Sequence, residues 1–183
     1  MTYPNWCDEI GESYVSDGWE QQPSDIQRTA YSDMVRVNRD LFADIPVPVR
    51  YVSDDPYENY SHMQEQVPKD DMLLIFDGGD TPEHMSHEEN LQGRAVHDWY
   101  GHLQHDCDFS PMGEFTKWYR MIDHYPQTVT QLLFGEVVGQ VAAIHYVDGF
   151  DYQQRPCIAP SCWIEQVCRY YGKPVPEGAY YYQ

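Results

Sequence analysis

A chain of 183 residues suits one domain, 1–183, large enough for a single core with an enclosed pocket. Its 30 acidic and 11 basic side chains leave a net charge of -19, which repels phosphate backbones and anionic bilayers and argues against direct duplex DNA binding and membrane association. The same charge suits a solubilised surface, adaptation to high salt, or mimicry of nucleic acid toward a basic partner.

Residues 1–22 show no period and read as an irregular arm carrying Tyr3, Trp6, Tyr14 and Trp19. MTYPNWCDEIGE has neither the basic nor the apolar region of a signal peptide, and no apolar run approaches the roughly 18 residues that would span a bilayer. The expected compartment is cytoplasmic, and the odd count of five cysteines suits reduced thiols there.

Pro23 and Ser24 open the first predicted helix, with Ser24 and Gln27 at capping-box spacing and a stripe of Ile26, Ala30, Met34, Val37 and Leu41. Pro46 and Pro48 follow, and Val47, Val49 and Tyr51 alternate as in a short edge strand. Asp54 to Tyr57 turns the chain, and Met72 to Phe76 reads as a buried strand ended by the turn DGGD. Ser86 and Glu89 cap a helix that begins near His87; His84 and His87, before it, read as exposed. Ser110 and Pro111 start another helix, to about Asp123, with Phe115, Trp118, Tyr119 and Ile122 on its buried face. Thr128 to about Val147 and Ser161 to Tyr171 complete the set, and the aromatic tail GAYYYQ is free to cover the body or another subunit. Cys157, Cys162 and Cys168 are spaced too loosely for a zinc knuckle and read as small buried groups. The expected fold class is α+β, mainly helical (about five helices) with a small two- or three-stranded sheet.

Chemistry concentrates in NLQGRAVHDWYGHLQHDC, Asn90 to Cys107, where His97, His102, His105, two aspartates and a cysteine fall within eleven positions. Imidazole is the commonest neutral ligand of the later transition metals, so the stretch proposes a metal site. Two histidines five apart on a regular α-helix point about 140° from each other and cannot share an ion. Gly101 lies between His97 and His102, and its backbone freedom predicts that the helix loosens or ends there. Asp98 after His97 fails the zinc-protease pattern, which needs glutamate there and histidines four apart.

On the helix from Thr128 to about Val147, Glu136 and Gln140 fall on the apolar stripe of Val129, Leu132, Leu133, Ala143, Ile144 and Val147. A buried carboxylate must be protonated, paired or metal-bound. Arg94 and Arg120 are the candidate partners; a metal ion held by two neutral histidines is the other. His145 reads as a satisfied group rather than a ligand.

HDWYGH resembles the iron-binding segment of the pterin-dependent aromatic amino acid hydroxylases, where two histidines in this order are joined by a glutamate on a later helix. That resemblance implies Fe(II) on His97, His102 and Glu136, with the reductant, pterin or other, unassigned. The wider pattern of Asp55 to Tyr57, RAVHDWYGH, Gly113–Glu114 and GEVVGQ is similar to uncharacterised proteins of tailed bacteriophages, over residues 50 to 145. It implies a phage-encoded protein in the host cytoplasm and carries no activity with it.

Asp98 is placed to accept the ring N–H of a ligand histidine. Glu114, in the first turn of its helix, either favours the helix dipole or joins the site, and with Asp98 it is a catalytic candidate. Trp99, Tyr100, Trp118 and Tyr119, with Gln140, are the candidate substrate pocket for a flat ligand. Two histidines and a carboxylate on Fe(II) leave three open positions, an oxygenase arrangement acting on a small aromatic or heteroaromatic molecule, including a nucleobase or nucleotide. Zn(II) on the same ligands would make a hydrolase, and a non-enzymatic acidic binding or inhibitor protein with a structural metal is the third reading. The oligomeric state is not legible.

Overall fold

The computed structural model describes residues 4–16, 24–149 and 157–182. The expected cap at Ser24, and Tyr3 and Trp19, lie outside the described side chains. The fold is mainly helical with one small sheet. Where contiguous helical stretches are counted as one, seven helices occur among the described residues, against the five expected.

Two of the differences are helices that sequence periodicity did not separate from loops. Asn5–Val15 is α1, not an irregular arm. Its buried residues Trp6, Ile10, Gly11 and Tyr14 recur at helical spacing, and the stripe is masked by acidic neighbours and by aromatic rather than aliphatic content. Gly11 lets α1 lie on the helix Gln140–Val147, since a Cβ there would stand 2.4 Å from the Ala142 carbonyl oxygen. Tyr60–Asp70, here α3, is capped by Asn59, which accepts from the His62 N–H at 3.0 Å.

Ser24–Ala43 forms α2, the predicted length. Its buried face runs one position after the apolar stripe, through Gln27, Ala30, Tyr31, Met34, Val35 and Asn38. Of its polar members, Asn38 lines the cavity and Tyr31 donates to Glu136.

Val49–Val52 (β1) and Leu73–Phe76 (β2) pair in parallel, Val49 opposite Leu73, with α3 as the crossover. Leu73 and Ile75 join Met63, Val67, Leu91 and Ala95 in a small core beneath the sheet. The turn after β2 is held by Arg94, whose Nη1 donates to the carbonyls of Phe76 at 2.9 Å and Gly78 at 2.6 Å.

His87–Val96 is α4, begun by the predicted capping box: Ser86 Oγ accepts from the Glu89 N–H, and the Glu89 carboxylate accepts from the Ser86 N–H. It runs without interruption into a π-helical stretch, His97–Leu103. Pro111–Met121 is α5, capped by Ser110. Thr130–Phe134 (α6), a second π-helical stretch Gly135–Gly139, and Gln140–Val147 (α7) make one continuous helix. Ser161–Tyr170 is α8.

The main core lies between these helices, around Trp6, Tyr31, Phe115, Trp118, Leu132 and Phe134. The tail packs on the same chain: the Tyr182 N–H donates to Gln131 Oε1 at 2.8 Å and Ala179 is fully buried. Cys157 and Cys168 are buried and Cys162 is exposed. No described helix is long and apolar enough to cross a membrane.

Candidate metal centre and its cavity

The helix carrying HDWYGH does not end at Gly101. It widens instead. In π-helical geometry the backbone bonds run from i to i+5, so residues five apart come to one side of the helix. His97 and His102 therefore meet, with Nε2 atoms 3.0 Å apart and ring centroids 4.9 Å apart. The 140° separation expected of an α-helix is removed by the turn type.

Gly101 lies inside this loosened turn, one of the two outcomes expected of it, and has a second role. A Cβ on it would stand 2.3 Å from Lys117 Cδ and 2.6 Å from Cγ, so its missing side chain is the passage through which Lys117 reaches the histidines. Gly101→Ala is therefore expected to lower the unfolding free energy by about 1–2 kcal/mol through overpacking, measured by chemical denaturation. Unchanged stability would mean that the Lys117 chain yields freely.

The carboxylate beside the histidines is Glu114. His97, His102 and Glu114 each offer a ligand atom, all within 4.8 Å of one another, and they are the one such group of three among the described residues. His102 Nε2 lies 3.3 Å from Glu114 Oε1. Donors bound about 2.1 Å from an octahedral ion and adjacent to each other sit about 3.0 Å apart, and slightly further at tetrahedral angles. The 3.0 and 3.3 Å separations fit those edges. His102 Nδ1 lies 2.7 Å from the Cys107 carbonyl, to which it donates, leaving Nε2 with its lone pair toward Glu114.

Lys117 is the residue that sequence reasoning missed. It is fully buried, and its Nζ lies 2.5 Å from His97 Nε2 and 3.2 Å from His102 Nε2, with its ammonium also paired to Glu114 Oε2. A signal existed: Glu114, Lys117, Trp118 and Met121 stand at i, i+3, i+4 and i+7, a buried helical face with an ion pair inside it.

Burial and the Lys117 charge both drive His97 and His102 downward, so the two rings are neutral. Burial pushes the Glu114 carboxyl up, but the Lys117 ammonium outweighs it and holds the group well below the usual carboxylate range. Burial likewise lowers Lys117, against the support of Glu114.

Glu136 does not belong to this group of three. The second π-helical stretch directs it to α2, where Tyr31 donates to Oε1 at 2.5 Å, and Gln140 Nε2 donates to Oε2 at 2.8 Å. Neither expected arginine pairs with it: Arg94 holds the β2 turn, and Arg120 Nη1 donates to the His105 carbonyl at 2.7 Å. Burial pushes the Glu136 carboxyl up to about 7.

Glu136 and the metal candidate His97 do share a cavity of about 450 Å³, which Asp98, Gln140, Asn38 and Arg94 also line. Asp98 lies 4.0 Å from His97 Nε2, too far to hold the ring, and burial raises its carboxyl to about 7. Its side chain faces the cavity instead.

Of the aromatic pocket candidates, none lines this cavity; Gln140 does. Trp118 is fully buried and donates to the Thr130 carbonyl at 3.1 Å, Tyr100 donates to Leu41 at 3.2 Å, and Tyr119 to Pro174 at 3.1 Å. Trp99 packs as a partly buried member of both cores. Aromatic character suits these rings to a flat ligand, but packing sends them into or against the cores. Tyr57, Phe76, Phe109 and Tyr125 are the aromatics that do line the cavity. His145 pairs with Asp8 at 3.3 Å, the satisfied role expected. His87 is exposed, while His84 is partly buried and lies 3.3 Å from Gln27 Oε1.

Compared with known proteins, the chain matches no family model, no curated protein and no solved structure.

Proposed function

We propose that His97, His102 and Glu114 hold one divalent metal ion, Fe(II) first, and that the chain is a mononuclear non-heme oxygenase acting on a small molecule in the adjoining cavity. The observation that carries this reading is the convergence of two neutral imidazoles and one carboxylate within 4.8 Å, with His102 at coordination-edge distance from both His97 and Glu114 and His97 on the cavity wall. Fe(II) held by these three residues would supply the redox chemistry that activates O2. A hydroxylation there places one atom of O2 on the substrate, and the other leaves as water, with two electrons and two protons from a separate reductant. Asp98 and Glu136, both on the cavity wall, are the groups positioned to hold protons beside the reacting molecule.

A second reading has its own observation. Lys117 Nζ occupies the point where the three donors converge, so its ammonium can be the resident cation of a purely structural cluster in an acidic binding protein. Metal binding requires that ammonium to move aside.

Elemental analysis after purification without chelator or affinity metal separates these readings. About one iron per chain is expected in the wild type and in Glu136→Gln, with loss in His97→Ala, His102→Ala and Glu114→Gln. Zinc in place of iron would move hydrolysis to the front. Loss in Glu136→Gln with retention in Glu114→Gln would return the ligand role to Glu136. No metal, even after anaerobic Fe(II) addition, would overturn the reading.

A further inference from the structure

The charge inventory of the 450 Å³ cavity is one-sided. Asp98 and Glu136 stand on its walls, and the exposed Asp55 and Glu58 line it as well. Arg94 is the cation among the lining residues, and its Nη1 is spent on two carbonyls of the β2 turn. Lys117 is not on the wall and is paired to Glu114.

Glu136 is built into this wall rather than merely exposed on it. Tyr31 and Gln140 each donate to one of its oxygens, which fixes the carboxyl plane from α2 on one side and from its own helix on the other. Each carboxyl oxygen can accept more than one hydrogen bond, so capacity remains for a ligand. Asn38 supplies a second, independent polar group. It is 5% exposed, its Oδ1 accepts from the Tyr125 hydroxyl at 2.5 Å, and its amide nitrogen has no hydrogen-bond partner among the described residues. Tyr57, Phe109 and Tyr125 supply flat apolar walls.

We infer that this cavity is a binding site for a small planar ligand with a cationic or N–H-rich nitrogen head, an amine, amidine or amino-heterocycle, seated on the Glu136 carboxylate and carrying no phosphate or carboxylate. A phosphate would enter beside four carboxyl side chains with the single guanidinium of Arg94 to offset them, which disfavours a nucleotide. A protonated nitrogen instead gains a charge-assisted hydrogen bond inside a partly desolvated site. The Asn38 amide then donates to an acceptor elsewhere on the ligand. The inference names the substrate class of the proposed oxygenase and rests on that reading for what happens to the ligand, but not for how it is held.

Calorimetric titration of the metal-free chain at physiological salt tests it, with benzamidine as the probe and benzoate as its anionic counterpart of the same shape. Benzamidine is expected to bind the wild type, benzoate not, and Glu136→Gln to weaken benzamidine at least tenfold. Tyr31→Phe, which keeps the carboxylate and removes one donor to it, should bind benzamidine at least as well as the wild type. Equal binding of the two probes, no binding of benzamidine, or unchanged binding by Glu136→Gln would overturn the inference. Metal content of the same preparations is read separately, so failure of the ligand site and failure of the metal centre are told apart.

Discussion

Lys117→Met is expected to leave the metal-free chain about 3–5 kcal/mol less stable, because it strips a buried carboxylate of its partner. Glu114 is 7% exposed and Lys117 fully buried, so water does little to soften the loss. For a chain of this size that is a fall of roughly 6–20 °C in Tm. The same substitution removes the cation from the point where His97, His102 and Glu114 converge. Fe(II) or Zn(II) should then bind at least tenfold more tightly than to the wild type and offset the lost stability, since an ion at 1,000 times its Kd contributes about 4.1 kcal/mol. Thermal unfolding with and without each ion checks both halves. A destabilised variant that no ion rescues would identify the ammonium as the permanent occupant and the cluster as structural.

Glu136→Gln should stabilise the protein at alkaline pH and do little in mild acid. Burial raises the Glu136 carboxyl from an ordinary value of 4.5 to about 7, so the folded state holds this proton more tightly than the unfolded chain does. Stability from this group is complete below the unfolded value and is lost as pH climbs from about 4.5 to about 7, then levels off. A shift of that size corresponds to at most about 3.4 kcal/mol, and access of water from the cavity reduces it to about 2–3. The groups facing Glu136 are Tyr31 and Gln140, with His97, Asp98, Asn38, Arg94 and Tyr125 around the shared cavity. Asp98 titrates in the same window, which is why the comparison is made between variant and wild type across pH rather than on the wild type alone. Urea denaturation at pH 5 and pH 8 should show the gap between the two proteins opening with pH. A constant gap would mean that Glu136 is ionised in the fold throughout. With the ligand inference, the result describes one carboxyl whose burial is costly to stability and useful to binding.

The four segments singled out in the sequence, Asp55–Tyr57, the HDWYGH stretch, Gly113–Glu114 and GEVVGQ, all reach the His97–His102–Glu114 group or the adjoining cavity. Residue type carried that much: histidines crowded on one helix, and a glutamate and a glutamine on an otherwise apolar stripe, are improbable unless something meets them. Local periodicity and capping chemistry likewise determined α2, α4, α5 and the β2 strand, because those signals are contained within a few residues.

Only the tertiary structure decided which partners meet. An α-helix and a π-helix differ by one residue in hydrogen-bond register, and no composition rule marks where HDWYGH takes the wider turn that brings His97 onto His102. Each glutamate follows a glycine on a helix, and the apolar stripe of its helix favoured Glu136 over Glu114, which stands in a first turn. Packing separated them, placing Glu114 at the histidines beside Lys117 and turning Glu136 to the Tyr31 hydroxyl of α2. The aromatic residues beside the motif went to the core for the same reason: burial is set by what lies across from a residue, and that contact is made by segments far away in the chain.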